Sequence, residues 1–136
     1  MINQTTQDMI DDFAFLDDWE DRYMHVIDMG KAMAPLSADE RTAENKVKGC
    51  ASQVWLVTGR DGDRLTFRGD SDAFIVKGLV AIVLNIYSGE TAANIIATDA
   101  EPILSQLGLV EHLSSQRSNG LRSMIERIKS EAQAAA

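Results

Sequence analysis

A chain of 136 residues with 45% hydrophobic side chains is long enough to bury a core without disulfides or a structural metal, and short enough to form one domain, residues 1–136. Its 21 acidic against 13 basic residues leave a net charge of −8, and without concentrated Lys and Arg neither nucleic acid nor an anionic membrane is an expected partner. The single cysteine excludes an internal disulfide, a CxxC redox pair and a Cys-rich zinc site, the usage expected of a cytoplasmic protein.

Residues 1–8 have neither a basic region nor a long apolar run, so no signal peptide is expected. Met9, Ile10, Phe13 and Leu16 recur at helical spacing and predict an amphipathic helix over 6–16. Asp17, with Glu20 three residues on, offers a capping box for a second helix over 18–33, which Pro35 stops. Residues 37–44 are polar and read as a loop or single turn. A short edge strand is expected at 44–47, leading into Gly49-Cys50. Residues 53–58 and 65–69 are strand-like, joined by a hairpin loop over 59–63 in which Asp61-Gly62 supplies the turn.

Asp70, Ser71 and Asp72 stand as a helix-start cluster before the most apolar segment, 72–87. It is hydrophobic around nearly the whole cylinder from Phe74 to Ile86, leaving a narrow stripe through Lys77, Ala81 and Asn85, the pattern of a core helix. The apolar run 73–87 is too short, and too interrupted by Lys77 and Asn85, to span a bilayer. Gly89 is placed to end the helix in a left-handed conformation. Thr91 and Asp99 read as caps of short helices over 92–97 and 100–106, the second closed by Gly108. Ser114 or Ser115 precedes a last helix to about residue 132, with Leu121, Met124, Ile125 and Ile128 as its buried stripe and a fraying tail, 131–136. Helices, a small meander and then helices make an α+β domain with a sheet of about three antiparallel strands.

The chemistry concentrates at Cys50. A cysteine is most often a buried small hydrophobe, but Gly49 permits a sharp turn just before it. Lys46 and Lys48 bring positive charge that favours a thiolate, and Val54 and Trp55 follow as candidate walls of a pocket. A cysteine hydrolase would need a general base. Only His25 and His112 exist, the first inside a helix and the second in an expected loop. One Cys and two scattered His do not build a metal or iron–sulfur site. Arg117, at the start of the last helix, would add a charge favouring a thiolate or persulfide anion if that start packs beside Cys50.

The segment Glu44…Val47-Lys48-Gly49-Cys50-Ala51-Ser52-Gln53-Val54-Trp55 resembles the active-site segment of the SufE/CsdE family of sulfur-acceptor proteins, which activate cysteine desulfurases. The likeness continues through Gly69-Asp70-Ser71-Asp72, Ile75-Val76-Lys77-Gly78-Leu79 and Tyr87-Ser88-Gly89. It reappears in Arg117-Ser118-Asn119-Gly120-Leu121 and in Asp18-Trp19-Glu20-Asp21-Arg22-Tyr23. Ala51 departs from the Gln or Met common after the family's cysteine. The resemblance implies the fold shared with IscU-type scaffolds, a small antiparallel sheet with helices packed on it. By position it makes Cys50 the persulfide acceptor, supported by Gly49, Ser52, Lys48 and Arg117. It implies a monomer in the cytoplasm that carries sulfur in iron–sulfur cluster assembly rather than a stand-alone enzyme. The partners would be a SufS- or CsdA-like cysteine desulfurase and an iron–sulfur scaffold complex. No cofactor is expected on this chain, since pyridoxal phosphate belongs to the desulfurase. The other reading is a protein-interaction domain whose cysteine is structural or redox-sensitive.

Overall fold

The computed structural model describes residues 2–136. The first helix, α1 (Gln4–Ala14), begins before the expected start because Asn3 caps it, its side chain accepting the Thr6 N–H at 2.7 Å. The Asn3 amide also donates to the Asn85 and Ile86 carbonyls, and Met9 and Phe13 are buried. Helix α2 (Trp19–Ala32) is capped by Asp18, and Asp18 makes no side-chain cap bond. The expected Asp17–Glu20 box is therefore replaced by a first turn in which Glu20 and Asp21 meet the positive end of the helix dipole. A capping box does form further on, between Ser37 and Glu40 at the single 3-10 turn Ala38–Glu40.

Strands β1 (Val54–Asp61) and β2 (Arg64–Ser71) pair antiparallel in register from Val54–Ser71 to Asp61–Arg64. Their connection is the two-residue loop Gly62-Asp63, tighter than the expected 59–63 loop, with Gly62 at φ +62°. A glycine first in a two-residue loop matches the twist of the flanking strands, so both strands extend further into the turn. Val54, Leu56, Leu65, Phe67 and Gly69 bury one face of this hairpin. The strand expected at 44–47 shrinks to a single bridge, Lys46 to Trp55, flanked by Val47 N–H to the Val54 carbonyl and Leu56 N–H to the Asn45 carbonyl, both 2.8 Å.

Helix α3 (Phe74–Tyr87) supplies most of the core. It is capped at Ala73, later than expected, because Asp70 turns inward: it is 2% exposed and accepts the Leu36 N–H at 3.0 Å. Two cations meet the same carboxylate, Arg41 at 3.0 Å and Lys77 at 3.4 Å. The stripe through Lys77, Ala81 and Asn85 is covered in part by α1 and α2, so Ala81 is buried and the Asn85 amide meets the Met9 sulfur. Phe74, in the first turn, is instead 72% exposed beneath Lys31. Helices α2 and α3 cross at two glycines. A Cβ on Gly78 would lie 2.0 Å from the Val26 carbonyl oxygen, and one on Gly30 would lie 2.6 Å from the Gly78 nitrogen.

The third strand, β3 (Glu90–Thr91), pairs with the far edge of β2, giving the order β1-β2-β3. Gly89, at φ +83°, turns the chain out of α3 and donates its N–H to the Leu65 carbonyl. Then come α4 (Ala92–Ala97), capped by Thr91, α5 (Glu101–Gln106), and α6 (Leu109–His112), entered through Gly108 at φ +80°. His112 thus lies in a short helix rather than a loop, its ring stacked on Trp19 at 4.5 Å. Helix α7 (Ser115–Ala135) is capped by Ser114 and buries Leu121, Met124 and Ile128. It continues past residue 132 because Ala132 is itself fully buried.

Candidate functional site

The chain leaves its bridge with β1 at Val47 and rejoins the sheet at Val54. Between them Gly49 takes φ +91° and lies so close to α7 that a Cβ there would meet the Ser123 hydroxyl at 2.6 Å. Only glycine satisfies both demands. The turn lays Cys50 half-buried against the second turn of α7, its thiol donating to the Gly120 carbonyl at 3.6 Å. Beyond the turn, Gln53 is tied down by its N–H to Asp72 at 3.1 Å and by the Ser71 hydroxyl on its carbonyl at 2.7 Å.

Cys50 opens onto a cavity of about 370 Å³. Ala51 and Ser52 line it from the loop, Val76 and Leu79 from α3, and Ser114, Gln116, Arg117, Gly120 and Met124 from α7. Burial pushes the Cys50 thiol above its ordinary 9.0, since a thiolate loses more solvation than a thiol. A carbonyl oxygen facing the sulfur works in the same direction, because it accepts from S–H and repels S⁻.

Of the residues expected around the cysteine, Gly49, Ser52 and Arg117 are brought together with it, and the lysines are not. Lys46 and Lys48 line a separate groove with Ser123, Glu126, Arg127 and Glu131 of α7. The expectation that they sit at the sulfur and favour its thiolate is therefore corrected. Adjacent in sequence, they are turned away by the Gly49 bend. Among the described residues Arg117 makes no ion pair, so its charge is available to the cavity. Val54 is core, and Trp55 lies under the Arg41 guanidinium at 5.9 Å. The apolar wall comes instead from Val76, Leu79 and Met124. His25 packs edge-on to Phe13 at 4.9 Å and His112 stacks on Trp19, so neither lines the cavity as a base. Among the described residues no three His, Cys, Asp or Glu side chains converge on a common point.

The wall residues were readable only as core positions. Gly120 carries a clearer signal, because a glycine inside a helical pattern costs stability and so points to a packing or functional reason. Here the neighbour is Cys50, whose Sγ would lie at ordinary contact distance, 3.6 Å, from a Cβ at this position, so the glycine leaves room beside the sulfur.

The family model for SufE, described as an Fe-S metabolism associated domain, matches residues 7–132. This chain belongs to the SufE family. It is 64% identical over 128 residues to an uncharacterized SufE-like protein of Rhizobium etli, covering 91% of this chain and 86% of that one. A second uncharacterized SufE-like protein, from Rhizobium meliloti, is 63% identical over 129 residues, covering 92% of each chain. The solution structure of a hypothetical protein from Thermus thermophilus superposes with a TM-score of 0.80 at 16% identity, covering 99% of this chain and 98% of that one. That likeness speaks for the fold, an α+β domain with a three-stranded antiparallel sheet. Among the described residues no helix of this SufE-family protein is long and apolar enough to cross a membrane.

Proposed function

We propose that this protein accepts sulfur from a cysteine desulfurase onto Cys50, stimulates that enzyme, and delivers the sulfur to an iron–sulfur scaffold complex in the cytoplasm. The observation that carries the reading is the chain's single cysteine, held by a glycine bend at the mouth of a half-enclosed cavity, in a chain of a family associated with iron–sulfur metabolism.

In the transfer, the Cys50 thiolate attacks the terminal sulfur of the desulfurase's cysteine persulfide. A new S–S bond forms at Cys50, the S–S bond within the desulfurase breaks, and its cysteine leaves as a thiolate. The pyridoxal phosphate that makes the donor persulfide stays with the desulfurase, and this chain works as a monomeric carrier without a cofactor. A lone cysteine suits the cargo, because a second thiol nearby would attack the persulfide and release sulfide. The apolar side of the cavity, Val76, Leu79 and Met124, shields the added sulfur from reductants, and Arg117 offers a charge to the persulfide anion. The raised thiol pKa and the Gly120 carbonyl keep the resting cysteine protonated. Activation therefore requires the loop to carry Cys50 away from α7 when the desulfurase docks.

The test is incubation with a desulfurase, pyridoxal phosphate and free cysteine, followed by mass spectrometry of the Cys50 peptide. One added sulfur supports the carrier reading. Undiminished stimulation of the desulfurase by Cys50→Ser would instead make the chain an interaction domain with an incidental cysteine.

A further inference from the structure

Arg127 lies about two turns beyond Gly120 on α7 and reaches back to the segment that leads into the Cys50 loop. Its guanidinium donates to the Glu44 carbonyl at 3.0 Å and to the Lys46 carbonyl at 3.3 Å, while Nε binds Glu131 at 3.1 Å. Because the guanidinium is a planar, rigid fork of donors, three such acceptors fix its orientation as well as its position.

The same segment is held from its other side by β1, through the Val47 N–H to the Val54 carbonyl and the Leu56 N–H to the Asn45 carbonyl. Residues 44–47 are thus a stem gripped between a strand and a helix. Downstream, Gln53 is tied to Asp72 and Ser71. Among the described residues, the main chain of 48–52 makes no main-chain hydrogen bond to another segment. The boundary between held and unheld backbone falls at the end of the Arg127 grip.

We propose that Arg127 is a positioning residue for sulfur transfer. By clamping the stem to α7 it confines loop movement to residues 48–52 and returns Cys50 to its seat beside Gly120. The consequence for sulfur rests on the carrier function proposed above, whereas the clamp itself is a property of the free protein. Loss of the clamp raises the fraction of time that Cys50 spends away from α7. The ion pair to Glu131 is secondary, since a partly exposed pair contributes little, and the two carbonyl bonds do the holding.

The experiment is the rate of Cys50 alkylation by iodoacetamide in the full chain, read beside the thermal midpoint. Arg127→Gln is expected to react about fivefold faster, the population change produced by losing roughly one net hydrogen bond, with its midpoint lowered by only the few degrees that about 1 kcal/mol represents. Glu131→Gln, which keeps the carbonyl bonds, should react at the wild-type rate. Arg127→Lys, which keeps the charge but not the fork, should fall between. An Arg127→Gln rate equal to wild type overturns the proposal, and so does an equal gain in Arg64→Gln, which gives up a guanidinium bond to the Gly89 carbonyl away from the Cys50 stem. Should Arg127→Gln fail to fold, the milder Arg127→Lys decides. Arg127→Lys, which retains the charge without the two-carbonyl fork, must then react faster than wild type, and an equal rate overturns the clamp. Alkylation reads the clamp without sulfur, so faster alkylation in a protein that never acquires a persulfide would sustain the clamp while rejecting the carrier function. Persulfide formation with unchanged alkylation would do the reverse.

Discussion

The Cys50 thiol donates to the Gly120 carbonyl oxygen across 3.6 Å, so the reactive group of the loop is seated on the backbone of the longest helix. A carbonyl is a poor neighbour for a thiolate, and the contact defines a resting state in which the sulfur is protonated and half sheltered.

The pH dependence follows from that contact and from burial, which holds the thiol above its ordinary 9.0. A raised pKa lowers the thiolate fraction at neutral pH. The free protein should therefore react with iodoacetamide more slowly than free cysteine, and its rate should climb with a midpoint above 9. The same sign applies to folding. The stability that goes with a protonated Cys50 is complete below the unfolded thiol's pKa, and it declines as pH rises through the folded value. A stopped-flow alkylation profile checks the first expectation and denaturant melts at alkaline pH check the second.

Gly120→Ala separates stability from cargo space. Alanine in a helix interior is favoured over glycine by up to about 1 kcal/mol, and its Cβ would sit at ordinary contact distance, 3.6 Å, from the sulfur. The variant should melt at or above the wild-type temperature, yet hold a Cys50 persulfide for a shorter time against dithiothreitol, because the methyl group takes room that the added sulfur needs. Calorimetry and timed mass spectrometry read the two effects.

Gly78→Ala should damage the fold itself. Its Cβ would stand 2.0 Å from the Val26 carbonyl oxygen, and backbone against backbone cannot yield as a side chain can. A loss of roughly 3 kcal/mol is expected from forcing α2 off α3, seen as an earlier urea midpoint. Since Val76 and Leu79 flank this crossing, the Cys50 cavity should widen with it.

Asp70→Asn tests the buried ion cluster. Burial alone would raise this carboxyl, but the Leu36 and Ser71 N–H groups with Arg41 and Lys77 outweigh it and hold it below the ordinary 3.8. Its stabilisation is present above the unfolded value and disappears as pH falls through the folded one. Removing the charge strands two cations and should cost about 2–3 kcal/mol, less than a fully buried pair because Arg41 is partly exposed. Urea melts at pH 7 and pH 3 should show the gap between variant and wild type shrinking in acid.

Much of this architecture was legible from local chemistry. Thr91 caps the helix it is expected to cap, Ser114 rather than Ser115 caps the last one, Ala100 rather than Asp99 caps α5, and Gly49, Gly89 and Gly108 take the positive φ that their positions call for. What could not be read was set by distant partners. Asp70 resembles a helix-start carboxylate until Leu36 and Arg41 draw it inward, and two residues of β3 show no alternation to detect. Lys46 and Lys48 were close to Cys50 in sequence but are separated from its cavity by the Gly49 turn. The walls that do enclose the sulfur come from α3 and α7, whose apolar residues carry the same periodicity whether they face core or cavity.

The most direct measurement is the mass of the Cys50 peptide after the full chain is incubated with a cysteine desulfurase, pyridoxal phosphate and free cysteine, then trapped with an alkylating agent. One extra sulfur on that peptide is predicted, absent from a folded Cys50→Ser chain that also fails to stimulate the desulfurase. A wild-type chain that stimulates the enzyme while its Cys50 peptide never gains sulfur would contradict the account.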